Sequence, residues 1–174
     1  MNDARNFELP QAVAIAETFG AQGVEYLFIG RSGAILLGYP GVTQDVDLFV
    51  EKSEANGRRI VAALEKLGFS LDASLRDDIV RGRDFVQIKS GPFDLDLVFA
   101  PDGIASFAEA RQRRIVHEEF PVASLDDIIA SKRASGREKD LIELPLLERF
   151  RIEYERANPR PLKNAWEIDR QKPL

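Results

Sequence analysis

Apolar and polar positions along this chain recur with two periods, and the switches between them mark the elements. Val13, Ile15, Ala16 and Phe19 fall at helical spacing and predict a helix over residues 10–21. Residues 24–29 form a short apolar run ending at Gly30, the pattern of a buried strand. A compact apolar helix is predicted for residues 32–38, closed by Gly38 and followed by a Tyr39-Pro40-Gly41 turn. Residues 45–50 alternate strictly and predict a strand. Ser53 suits the N-cap of a helix running to Leu67, with Gly68 ending it. Residues 71–82 carry too few apolar positions to decide, a short helix being one reading. Two strands, 84–89 and 93–99, flank Ser90-Gly91-Pro92, a hairpin signal. Residues 104–113 read as a helix, and 115–119 and 121–123 as short strands. Ser124 caps a helix to Ser135, Gly136 breaks it, and a last helix runs from about residue 137 to 156. Pro145 lies inside that helix and should kink or divide it. From Asn158 the chain holds Pro159, Pro161 and Pro173 and reads as an extended arm.

Strands come early and helices late. This order predicts an α/β (α+β) chain with a mixed-sheet core and a helical C-terminal part. The expected division is a core over residues 1–123, helices packed on it over 124–156, and a tail over 157–174. A length of 174 residues suits one such domain.

The chemistry concentrates in Asp45-Val46-Asp47-Leu48. Residues two apart on a strand share a face, so Asp45 and Asp47 project together while Val46 and Leu48 turn to the core. Adjacent carboxylates repel, and a hard divalent cation is their natural partner, Mg2+ or Mn2+. The other reading is an acidic pair on a solvated strand face. Asp94-Leu95-Asp96 repeats the alternation on a second strand. Asp96 sits deeper in its apolar run, where an unpaired charge is costly, so it is the expected third carboxylate, with Asp94 as the alternative. Upstream, Gly30-Arg31-Ser32-Gly33 follows a strand and opens a helix, a setting whose backbone N–H groups suit a phosphate.

Ile29-Gly30-Arg31, then thirteen residues, then Asp45-Val46-Asp47-Leu48 resembles the signature of the minimal nucleotidyltransferases of the DNA polymerase beta superfamily. Gly38 and Thr43 before the pair, and Leu125 to Ile129 with Lys132, Gly136-Arg137 and Lys139-Asp140-Leu141 after it, are similar to the small bacterial members linked with abortive infection and toxin–antitoxin loci. The resemblance covers roughly residues 20–150. It implies a nucleotidyltransferase-type mixed sheet with flanking helices, and transfer of a nucleoside monophosphate from a nucleoside triphosphate to an acceptor hydroxyl. By resemblance Asp45, Asp47 and Asp96 are the catalytic and metal-holding residues, and Gly30 and Ser32 contact the triphosphate; Lys132 and Lys139 are read beside the phosphates, and Arg31 is the further nucleotide-binding candidate. Arg31 stands where the family usually has a second Gly or a Ser, and Gly41 where the small members often have Arg. Three readings of these departures stay open: weaker triphosphate binding, a member that has lost catalysis, or Arg31 supplying the charge that position 41 lacks. The acceptor stays open among an RNA end, a protein and a small molecule, and a cognate protein partner is also implied. The rival reading is a catalytically silent protein of this fold that acts as a binding or toxin–antitoxin component. A metal-dependent phosphoesterase is a third, and would not need the Gly30 turn.

Composition narrows the field further. The chain has no cysteine, which excludes disulfide frameworks, zinc–thiolate sites and cysteine nucleophiles. A formal net charge of -5 argues against a broad basic surface for duplex DNA. The first residues lack the apolar run of a signal peptide and no stretch is long enough to span a membrane, so a cytoplasmic protein is expected. Lys132, Arg133, Arg137 and Lys139 around Gly136 read either as a solvated helix face or as a phosphate-facing patch. His117 reads as a surface residue, and Trp166 as packing on the domain or a partner.

Overall fold

The structure is a computed structural model and describes residues 6–159. The expectations for Trp166 and for most of the C-terminal arm lie outside the described residues. Along the chain run α1 (Leu9–Gln22), β1 (Tyr26–Ile29), α2 (Gly30–Leu36), β2 (Asp45–Val50), α3 (Glu54–Lys66), α4 (Ala73–Arg81), β3 (Phe85–Ile88) and β4 (Asp94–Val98). Then follow α5 (Phe107–Arg113), β5 (Ile115–His117), β6 (Phe120–Val122), α6 (Leu125–Ser135) and α7 (Glu138–Ala157).

Local signals account for most boundaries. The hydroxyls of Ser53, Ser106 and Ser124 each accept a backbone N–H at a helix start. Residues 71–82 resolve into α4, with the Asp72 carboxylate capping its start and Gly82 in the left-handed region closing it. α7 is not divided at Pro145. Leu141 and Pro145 both lie on the exposed side, so water can serve the Leu141 carbonyl that Pro145 leaves without a donor.

Six strands form one mixed sheet in the order β3-β4-β2-β1-β6-β5. The pairs β2·β4 and β1·β6 are parallel, and the others antiparallel. One face carries Val46, Leu48, Leu95, Leu97, Val86 and Ile88, all buried. Helix α1 reaches this face through Phe19, whose ring meets Tyr26 edge-on at 5.1 Å. α1, α3 and α4 pack together on this side, burying Ile15, Ile60, Leu64 and Ile79. On the other face α2 lies over β1 and β2, α6 packs on α2, and α7 on α6. Phe49 on that face meets Phe107 of α5 edge-on at 5.1 Å. The polar residues of β2 and β4 thus face a space roofed by α6 and α7.

Candidate functional site

The pleat and the strand pairing place the acidic residues. In the parallel β2·β4 ladder Asp45 lies opposite Asp94, and Asp47 opposite Asp96. All four therefore stand on one face, away from the core. Asp45, Asp47 and Asp96 line a cavity of about 550 Å³, whereas Asp94 does not and instead lies 4.0 Å from the Lys89 ammonium.

Electrostatics of this floor are strained. Burial, then the charges of Asp96 and Asp45, push the Asp47 carboxyl up to about 7. Burial, then Asp45, push Asp96 up to about 6. Asp96 is 7% exposed, and its Oδ1 is buried without a hydrogen-bond partner. A carboxylate oxygen in that position calls for a cation or a proton donor. The donor set is all carboxylate oxygen, which suits Mg2+ or Mn2+. Among the described residues no three acidic or imidazole side chains are already closed around a single ion position.

The cavity wall beside β1 begins with the strand–helix turn. Gly30 opens α2 at φ +65, and a Cβ there would lie 2.6 Å from Asp47 Oδ2. Only glycine lets the turn approach the carboxylate this closely. Ser32 is fully buried, and its hydroxyl donates to the Ile29 carbonyl and accepts the Asp47 backbone N–H at 3.0 Å. It stands behind the cavity wall and fixes the height of Asp47 rather than facing the cavity. Arg31 does line the cavity. Its Nε donates to Glu143 Oε1 at 2.8 Å and its Nη1 to the Val42 carbonyl at 3.2 Å.

α6 and α7 supply the opposite wall. Lys132, Arg137 and Lys139 all line the cavity. Lys132 Nζ lies 2.9 Å from Glu143 Oε2 and 3.5 Å from Asp140 Oδ1. Arg137 and Ser135 each donate to Asp140 Oδ2 at 2.7 Å. Burial alone would raise both acids, yet the hydrogen bonds from Arg31 and Lys132 hold Glu143 below the usual carboxylate range, and those from Ser135 and Arg137 do the same for Asp140. The two buried acids therefore stay ionised and anchor Arg31, Lys132 and Arg137 at the cavity. Glu143 was not among the residues singled out from the sequence. Its only local trace is the spacing of Asp140 and Glu143, three apart on the face of α7 that also buries Leu144 and Leu147. The lone histidine, His117, lies exposed in the β5–β6 hairpin, away from this cavity.

The arrangement is bipolar: an acidic floor on β2 and β4 under a basic wall from α2, α6 and α7. Such a cleft can hold a polyanion by its phosphates while cations gather at the carboxylates.

No protein-family model matches the sequence, and no curated protein does. Among solved structures the chain is similar to the lincosamide antibiotic adenylyltransferase LnuA in its lincomycin-bound crystal structure. The TM-score is 0.59 at 14% identity, over 83% of this chain and 98% of that one. A Thermotoga maritima structure described as a candidate nucleotidyltransferase reaches a TM-score of 0.44 at 11% identity, over 91% of this chain and 100% of its own, too distant to bear on the fold. The mixed α/β architecture is a nucleotidyltransferase fold.

Proposed function

We propose that this chain transfers a nucleoside monophosphate from a nucleoside triphosphate to an acceptor hydroxyl, with Mg2+ or Mn2+ as its cofactor. The observation that carries the reading is the bipolar cleft on a nucleotidyltransferase fold: Asp45, Asp47 and Asp96 on paired strands beneath Lys132, Arg137 and Lys139. The three carboxylates would hold the ions, which supply charge neutralisation at the reacting phosphate. Gly30 brings backbone close to the phosphates, Ser32 sets the position of Asp47, and Arg31 and Lys132, held by Glu143, face the triphosphate. The acceptor oxygen attacks the α-phosphorus, and its proton passes to the Asp96 carboxylate. A carboxylate on that floor is placed to act as the general base. The bond from the α-phosphorus to the bridging oxygen breaks, and pyrophosphate leaves with that electron pair toward Lys132, Arg137 and Lys139.

LnuA is an adenylyltransferase of a lincosamide antibiotic, which favours a small hydroxyl compound over an RNA end or a protein side chain as acceptor here. The absence of cysteine and the use of a nucleoside triphosphate fit a cytoplasmic setting. The test is incubation with α-labelled triphosphates, Mg2+ and a cell extract, followed by fractionation. Label should enter one fraction with the original protein and none with Asp47→Asn. Equal labelling by both would remove the carboxylates from the reaction. No labelling by either would leave a silent binding protein, a toxin–antitoxin component included.

A further inference from the structure

Helix α7 is apolar on two sides. Leu144 and Leu147 are buried, with Phe150 and Tyr154 packed against the same core. Yet Leu141, Ile142, Leu146 and Ile152 of the same helix stand in water, Ile142 at 70% and Leu146 at 60% exposure. They are four of the eight large apolar side chains left exposed among the described residues. A surface helix ordinarily carries one apolar stripe and turns polar residues outward. A second, exposed stripe marks a contact made outside the chain. Its spacing is that of a paired helix. Glu138, Ile142, Pro145, Arg149, Ile152 and Arg156 follow in alternating steps of four and three, all of them exposed, and so form one straight seam. The seam lies opposite Asp140, Leu147 and Tyr154, the positions seven apart that face inward.

The charges along the seam select the occupant. Laid antiparallel on a second copy, with a two-fold axis beside Leu146, the seam is complementary to itself. Glu138 then meets Arg156 of the partner subunit, and Ile142 meets the partner's Ile152. On one flank Lys139 meets the partner's Glu153, and Leu146 meets the partner's Leu146 across the axis. In the single chain Glu153 lies 3.4 Å from Arg149 with both side chains largely exposed, a pair that is weak and easily exchanged. On the other flank Glu148 faces its own copy, but Arg133 already pairs with it. Pro145 leaves the Leu141 carbonyl without its helical donor, and this register sets the partner's Arg149 beside Pro145, where its guanidinium can supply one. A parallel pair would instead set Glu138 on Glu138 and Arg156 on Arg156, which repel. We infer that the outer face of α7 is a homodimer interface, in which α7 pairs antiparallel with α7 of a second copy of this chain. Lys139 also lines the cavity, so the interface reaches the cavity rim. One pair of 20-residue helices, about 30 Å long, is at the small end of specific interfaces, and the dimer is correspondingly weak.

The experiment uses the full chain. Sedimentation velocity from about 1 to about 100 μM, the range of weak homodimers, should show the mass rise with concentration from 19.5 kDa toward twice that value. Leu146→Glu sets like charges across the axis and should weaken the dimer by about ten-fold or more. The position is exposed, so the fold should survive, and circular dichroism checks that it does. Glu138→Arg and Arg156→Glu should each weaken the dimer by about three- to five-fold, and both together in one chain should restore it. The chain has no cysteine, so single replacements reveal the orientation. With a short bis-maleimide, Leu146→Cys should cross-link to itself. Ile142→Cys should cross-link to Ile152→Cys in a mixture and poorly to itself, because the two copies of Ile142 lie about 15 Å apart along the helices in this pairing. Self-cross-linking of Ile142→Cys as fast as in the mixture would overturn the antiparallel pairing. A chain that stays at 19.5 kDa throughout, or a dimer that Leu146→Glu leaves intact, would overturn the interface.

Discussion

Replacing Asp47 by Asn should stabilise the metal-free protein at alkaline pH. The Asp47 carboxyl stands at about 7 in the folded chain, against 3.8 for the free group. At about 1.4 kcal/mol per pH unit, keeping it ionised costs the fold about 4 kcal/mol at pH 8. Asn keeps the size of the side chain and the backbone N–H that Ser32 accepts, and removes the charge that Asp96 and Asp45 repel. Against this stands the burial of an amide without assured partners, about 1–3 kcal/mol. The net gain is about 1–3 kcal/mol, or roughly 3–8 °C for a chain of this length. The sign with pH follows from the raised value. Protonated Asp47 favours the fold fully below about 3.8, and that contribution is lost as the pH climbs toward about 7. At pH 5 the penalty on the original protein is therefore smaller by about 2–3 kcal/mol, and the advantage of Asn should vanish or reverse. Urea unfolding followed by circular dichroism in EDTA, at pH 5 and pH 8 and fixed low salt, measures both quantities. A variant less stable than the original by the same amount at both pH values would refute the repulsion and restore the solvated-face reading of the acidic pair.

Two further substitutions probe the walls of the cavity. Gly30→Ala places a Cβ 2.6 Å from Asp47 Oδ2 at a positive φ, and should cost about 2–3 kcal/mol and abolish the nucleotide-dependent rise in melting temperature. Glu143→Ala leaves Arg31 and the nearly buried Lys132 without their shared partner and should destabilise by about 2–4 kcal/mol, whereas Glu143→Gln keeps an acceptor and should cost about half as much. Both Glu143 variants should raise KM for the triphosphate more than they lower kcat, and steady-state kinetics separate the two.

The parts of the fold legible in the sequence are those written in local patterns. The alternation of residues 45–50 marks β2 to the residue, and Ser53 and Ser124 mark the starts of α3 and α6. Residues 71–82 were ambiguous because α4 buries only Ile79 fully, although Asp72 and Gly82 carried its caps. The turn at Gly30 read as a loop before a helix beginning at Ser32, whereas the helix begins at Gly30 itself. Contacts between distant segments leave no local pattern. The register that sets Asp47 beside Asp96 depends on β2 and β4 pairing in parallel across α3, α4 and β3. The Arg31–Glu143 pair joins residues separated by 112 positions. Ser32, read as a phosphate contact, is held by backbone on both sides, which only the fold reveals.

The central claim is that the acidic floor holds divalent ions against a triphosphate. Thermal unfolding with Mn2+ and a non-hydrolysable nucleoside triphosphate, each alone and together, tests it most directly. At about 100 times the dissociation constant a ligand contributes roughly 2.7 kcal/mol, a rise of about 5–10 °C for this length. The original protein should show that rise with both ligands present, a smaller one with Mn2+ alone, and Asp45→Asn and Asp47→Asn should lose it. A surface control, Asp77→Asn, should keep it. No rise in the original protein, or an equal rise in Asp47→Asn, would contradict the account.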